Sequence, residues 1–135
     1  MEFESLEQHE LVISILQQIK KAILDLQEWN NDVVSVDGYY NNSSGTQKLA
    51  ASCMLLEAIG EGFKKIDSIT KQKLLIEYDS IPWKEIMGMR NHIAHGYFDI
   101  DAELVLYTIK NDLSSLLHAV EFFLKKYTTE QNPLP

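Results

Sequence analysis

Hydrophobic residues recur along this chain at intervals of three and four, in blocks separated by short polar stretches. In the first block, residues 4 to 30, Val12, Leu16, Ile19, Ile23 and Leu26 share one face. Glu7, Gln8, Gln17, Lys20 and Gln27 take the other, and Trp29 closes the block. The pattern predicts a long amphipathic helix. From Asn30 to Gly45 it dissolves into Asn, Asp, Gly and Ser with Val33, Val34, Val36, Tyr39 and Tyr40 interspersed, which predicts a long loop. Its tyrosines either pin the loop to the bundle or face a base or a partner.

A second helix is expected from a cap at Ser44 or Thr46 to about Ile66, with Leu49, Cys53, Leu56, Gly60 and Phe63 along its buried stripe. Gly60 and Gly62 each cost about 1 kcal/mol relative to alanine inside a helix. Close approach of a neighbouring helix would offset that cost. The two glycines follow no strand and belong to no phosphate-loop signature, so nucleotide binding is not expected there. A short helix of ambiguous period follows at about 68 to 78. Pro82 then opens a fourth helix, in which Trp83, Ile86, Met87 and Ile93 face the core and Arg90, Asn91 and His95 reach the rim. Asp101 caps a last helix carrying Leu106, Ile109, Leu113, Leu116, Val120, Phe123 and Tyr127 over about 40 Å. No strand, repeat or linker is evident. The expectation is an all-α, up-and-down bundle of four to five helices forming one domain over residues 1–127, with a flexible, proline-ended tail at 128–135.

A length of 135 residues with 45% hydrophobic content is enough for a core without metal or disulfide support. The single cysteine, Cys53, lies on a helical apolar face, and its default reading is a buried structural thiol. No charged start is followed by a long apolar run and no apolar stretch approaches membrane-spanning length, so a cytoplasmic protein without signal peptide or membrane span is expected. A net charge of −8 argues against broad, sequence-independent binding of nucleic acid. A local site is still compatible with it. Lys64, Lys65, Lys71, Lys73, Lys84, Arg90 and His92 concentrate in the middle of the chain, as one basic cleft on an otherwise acidic molecule would require.

The candidate chemistry falls in Met89-Arg90-Asn91-His92-Ile93-Ala94-His95-Gly96-Tyr97. Arg90 is the only arginine, and a guanidinium is the planar fork that phosphate or carboxylate recognition uses. A snorkelling residue or a salt-bridge partner is the alternative. On a continuous helix Asn91 and His95 share a face, and Arg90 lies roughly 140° around from His95. Gly96 reads as the left-handed residue that ends the helix, with His95 in its last turn and Tyr97 folding back beside it. His92 could pair with His95 on a metal, but no third ligand has suitable spacing. It reads instead as a second phosphate contact or an exposed helical residue. His9 and His118 carry no signal beyond surface or boundary placement.

Arg90, four residues, His95, one residue, Tyr97 resembles the R-x4-H-x-Y motif of the HEPN superfamily, and Arg90-Asn91-x-x-Ala94-His95-x-Tyr97 resembles its HepT-like branch. Ile59-Gly60-Glu61, Ile81-Pro82-Trp83 and Asp99-Ile100-Asp101 are also similar to the family pattern, so the resemblance spans roughly residues 5 to 127. It implies a small helical ribonuclease toxin, homodimeric, encoded beside a minimal nucleotidyltransferase antitoxin that transfers AMP to Tyr97. No cofactor is implied.

The residues can support such a reaction. Metal-independent RNA cleavage needs a base, an acid and a cation on the phosphorane-like transition state. His95 supplies proton transfer, Arg90 holds non-bridging oxygens, and Asn91 orients the imidazole or contacts the phosphate. One motif histidine must cover two proton transfers, and a two-fold dimer that joins two motifs in one cleft removes the shortage. The competing reading is a non-catalytic helical module that binds a nucleotidyltransferase or its substrate.

Overall fold

The computed structural model describes residues 1–128. The first helix, α1 (Leu6–Trp29), follows the predicted periodicity and is capped by the Ser5 hydroxyl, which accepts the Gln8 backbone N–H. Val12, Leu16, Ile19, Ile23 and Leu26 are all buried, as their spacing requires. A one-turn helix, α2 (Asp37–Tyr40), lies inside the predicted loop. The next helix, α3 (Ser43–Ile69), starts one residue before the earlier of the two expected caps. Its cap is Asn42, whose side chain accepts from Gly45 N, while the Thr46 hydroxyl donates to the carbonyl of Tyr39. The loop tyrosines divide. Tyr39 is fully buried and anchors the loop, whereas Tyr40 stays exposed.

Side-chain contacts fix the helix directions. Ser52 meets Asn30, Gly62 lies against Ile19, and Gln8 donates to the Ile69 carbonyl, so α1 and α3 run antiparallel. Two glycines do what the sequence suggested. A Cβ on Gly60 would fall 2.9 Å from the backbone oxygen of Ile86, and one on Gly62 would fall 2.9 Å from Cδ1 of Ile19.

The short helix expected at 68 to 78 does not form. Instead α3 continues to Ile69, Lys71 and Gln72 take left-handed conformations (φ 52° and 61°), and a 3-10 turn spans Leu75–Glu77. Thr70 stops the helix: its hydroxyl donates to the Ile66 carbonyl and accepts from Leu74 N. Leu74 and Leu75 are consecutive and both buried, which explains the ambiguous period.

The fourth helix is also corrected. It is two short pieces, α4 (Trp83–Met87) and α5 (Arg90–Ile93), separated at Gly88, and it ends before Ala94, which is extended at φ −158° and ψ 146°. Pro82 precedes α4 as its cap, and the inward residues are Trp83, Ile86, Met89 and Ile93, with Met87 only half-buried. The last arm likewise breaks at Asp112 into α6 (Ala102–Asn111) and α7 (Leu113–Thr128). Asp101 caps α6 as predicted, accepting from Leu104 N. Across the break the arm changes partner, α6 packing on α3 and α5 and α7 packing chiefly on α1. Val105 replaces Leu106 as the inward residue of α6.

The fold is therefore all-α, and among the described residues no strand forms beyond an isolated antiparallel bridge between Ala94 and Ile100. Of the tail expected at 128–135, Thr128 ends α7 and the remainder lies outside the described residues. His9 departs from its expected surface or boundary placement. It is buried, stacked on Phe3 with ring centroids 4.4 Å apart, and its Nε2 donates to the Tyr127 carbonyl at 2.8 Å.

Asn30 is the buried polar hub of the bundle. Its amide donates to the Leu26 carbonyl and to Ser52, its side-chain oxygen accepts the Tyr39 hydroxyl at 2.7 Å, and its backbone oxygen accepts Lys110 Nζ. Burial pushes the Tyr39 phenol up to about 12. Tyr39→Phe leaves the Asn30 oxygen without that donor and should cost about 1–3 kcal/mol at neutral pH, seen as a melting temperature several degrees lower. Because the folded phenol titrates above its ordinary 10, its stabilisation is complete below pH 10 and lost as pH rises towards 12. The stability gap between the two proteins should therefore close over that interval in chemical denaturation.

Candidate active site

The motif residues meet at one cleft of about 450 Å³, lined on one side by Ala50, Cys53, Met54 and Glu57 and on the other by Arg90, Asn91, Ala94, His95, Gly96, Tyr97 and Ile100. The first wall follows from helical spacing, since positions 50, 53, 54 and 57 fall on one face of α3. On the second wall, α5 is held by Met89 and Ile93, four apart and both buried, which turns Arg90 and Asn91 outward. Asn91, His92 and Ile93 donate backbone bonds to Gly88, Met89 and Met89 respectively, completing the turn.

Beyond Ile93 the geometry differs from a helix end. Ala94 pairs with Ile100, His95 N donates to the Asp99 carbonyl at 2.9 Å, and Asp101 N donates to the Ile93 carbonyl at 2.8 Å. His95 therefore stands on a backbone loop closed on itself, and the helical i, i+4 relation with Asn91 does not exist. Nor does a helix dipole act on it from a last turn. Gly96 does take a left-handed φ of +104°, within the turn Gly96–Asp99 that Asp99 N closes on the Gly96 carbonyl. The four motif residues still share the cleft, because the loop returns Tyr97 and His95 to the side of α5 that carries Arg90 and Asn91.

Arg90 is not the salt-bridge residue of the alternative reading. Among the described residues no ion pair involves it. The expected gathering of lysines is absent as well: no lysine lines the cleft, Lys71 pairs with Glu4, and Lys84 lies on a separate hollow with His92. His92 also borders a larger groove with Glu85, Tyr107 and Asp112, so it contributes nothing to the cleft that holds His95. Among the cleft residues that the sequence reading missed are Met54 and Glu57. The signal was present, since both lie beside Cys53 on the α3 face next to the core stripe. Only the position of α5 turns that face into a wall.

Cys53 is buried at the floor, its thiol 3.9 Å from Glu57 Oε1. Burial first, and the neighbouring carboxylate second, push the thiol up, as befits a structural cysteine. The cleft thus offers one forked cation, one imidazole, one amide and one phenol, opposite a carboxylate.

The structure thus defines a small all-helical domain with Arg90, Asn91, His95 and Tyr97 gathered at one cleft. The profile of the ribonuclease HepT-like family matches residues 19–123, and the chain belongs to that family. Ribonuclease is the class of function that this membership supports. The chain is similar to the candidate RNase MJ1380 of Methanocaldococcus jannaschii, at 32% identity over 78% of this chain and 95% of the relative. The candidate RNase MJ1216 of the same organism is 30% identical over 81% of this chain and 89% of its own length. A protein of Thermococcus cleftensis assigned as ribonuclease HepT is 30% identical over 75% and 84%. No solved structure matches.

Gly96 gives a direct test of the loop. A Cβ there meets nothing within 4 Å, so Gly96→Ala acts through φ alone. The left-handed conformation costs an alanine about 1–2 kcal/mol. Gly96→Ala should lower RNA cleavage by displacing His95 and Tyr97 while the helical circular dichroism stays unchanged. Full activity in that variant would mean that the turn does not position the motif.

Proposed function

We propose that this protein is a metal-independent endoribonuclease, the toxin of a toxin–antitoxin pair, working through a composite site that two copies build around a two-fold axis. The observation that carries the reading is the convergence of Arg90, Asn91, His95 and Tyr97 on one cleft. In the proposed reaction a base takes the proton of the ribose 2′-hydroxyl, whose oxygen attacks the adjacent phosphorus. The 5′-oxygen leaves and receives a proton from an acid, giving a 2′,3′-cyclic phosphate and a 5′-hydroxyl. His95 of one copy acts as base and the second copy's His95 as acid. Arg90 neutralises the charge that develops on the non-bridging oxygens, and Asn91 orients the phosphate. Glu57 faces the same cleft, where it opposes the approach of RNA unless it pairs with a cation of the assembled site.

Loss of a general acid or base costs about 10²–10⁴ in rate. His95→Ala and Arg90→Ala should each lower RNA cleavage by at least that hundredfold and relieve growth inhibition, with melting nearly unchanged. Dilution below the dimer constant should also cost activity. A folded His95→Ala protein that still cuts RNA would remove the assignment. Specific nucleotidyltransferase binding by a wild-type protein that never cuts RNA would favour the non-catalytic module.

The partner under this reading is a minimal nucleotidyltransferase. Tyr97 is 62% exposed at the cleft, accessible to the transfer it requires. The phenol oxygen attacks the α-phosphorus of ATP, pyrophosphate leaves, and the phenolic proton passes to solvent. The bound AMP adds negative charge and bulk where RNA phosphate would sit. Peptide mapping after co-expression with such an enzyme should place AMP on Tyr97, and Tyr97→Phe should escape neutralisation. Adducts confined to other residues would leave Tyr97 as a brace for the loop.

A further inference from the structure

Next to Tyr97, Phe98 is 100% exposed, an unusual position for a phenylalanine. It does not hang on a loose end. The turn that carries it is closed by Asp99 N on the Gly96 carbonyl, by His95 N on the Asp99 carbonyl and by the Ala94–Ile100 bridge, and Ile100 packs against the core. Tyr97 meets Phe98 edge to face, ring centroids 5.2 Å apart at 85°, and Tyr97 itself lines the cleft. An aromatic path therefore leads from the reacting centre out to a fully exposed ring.

We propose that Phe98 is a stacking platform for an unpaired nucleobase that flanks the scissile phosphate. The inference rests on the ribonuclease reading of the cleft and adds a residue that positions the strand. Charge is the second observation. The chain carries −8 overall, and the cleft is lined by one arginine, no lysine and one glutamate. Phosphate attraction, the usual source of affinity for nucleic acid, is therefore weak on this molecule. A neutral aromatic face binds bases without it, provided they are unstacked from one another. Bases inside a duplex already have both faces covered, and sequence-tolerant aromatic binding selects unpaired segments.

Equilibrium binding in a His95→Ala background tests this without cleavage, using one fluorescent single-stranded oligoribonucleotide and the same strand in a duplex. Removing an aromatic stacking partner typically weakens binding about 5- to 150-fold per base. Phe98→Ala and Phe98→Leu should both show a loss in that range for the single strand, and Phe98→Trp should retain affinity. The duplex should bind more weakly than the single strand and respond little to any of the three. Sedimentation of all three should match the parent. Equal affinity of the Ala and parent proteins, or no binding by the parent, would overturn the inference. A fall to monomer in Phe98→Ala that Phe98→Leu reverses would assign the ring to contact with a second copy instead. Cleavage by the unsubstituted protein is read separately: single-strand binding through Phe98 without any cutting leaves the platform standing and removes the nuclease reading.

Discussion

The cleft exists because α3 has no side chain at position 60. The Ile86 carbonyl comes so close to Gly60 that a methyl group would sit 2.9 Å from it, inside any normal contact. That approach seats α4 on α3 and holds the following turn, α5, at the height where Arg90 and Asn91 overlook Cys53, Met54 and Glu57. The helix-propensity cost of the glycine, about 1 kcal/mol, is the counterpart of a packing distance that no other residue allows. Met89 and Ile93 then fix the rotation of α5, because both must be buried and only one orientation of a single turn buries them together.

The second constraint is backbone closure between Ile93 and Asp101. Three hydrogen bonds tie these nine residues: His95 to Asp99 and Asp101 to Ile93, which together form the Ala94–Ile100 bridge, and Asp99 to Gly96. Asp101 serves the structure twice, donating its N–H to the loop and offering its carboxylate to the first turn of α6. The motif is thus tied to the core from both ends, while its polar side chains point into open space. A loop in which the backbone satisfies itself can present His95, Tyr97 and Phe98 without borrowing their side chains for support.

Electrostatically the site is sparse. One guanidinium without an ion-pair partner among the described residues faces a wall that contains Glu57, on a molecule of net charge −8. The charged groups that might have reinforced it are committed elsewhere or face other surfaces, as with Lys71 on Glu4 and His92 on the neighbouring groove. Pairing two such clefts about an axis would double the positive charge and supply a second imidazole.

Sequence by itself determined the helical class, the long first helix, the Asp101 cap, the close packing at Gly60 and Gly62, the buried cysteine and the family. Each of these rests on local propensity or on a period that survives in any packing. The Arg90–Tyr97 stretch was legible for the same reason, since residue type and spacing single it out before any fold is known. Tertiary structure decided what lies between and opposite those residues. The chain leaves its helix at Ala94 because extended backbone there can pair with Ile100, a partner that periodicity does not see. Lys71 and Gln72 turn left-handed because Leu74 and Leu75 must both enter the core, and the last arm breaks at Asp112 where its two halves take different partners. His9 is drawn inside by Phe3 and Tyr127, and Met54 and Glu57 become a wall only when α5 arrives. Local pattern specifies which residues can be helical or reactive, whereas long-range burial and pairing choose where each helix stops and which surfaces face each other.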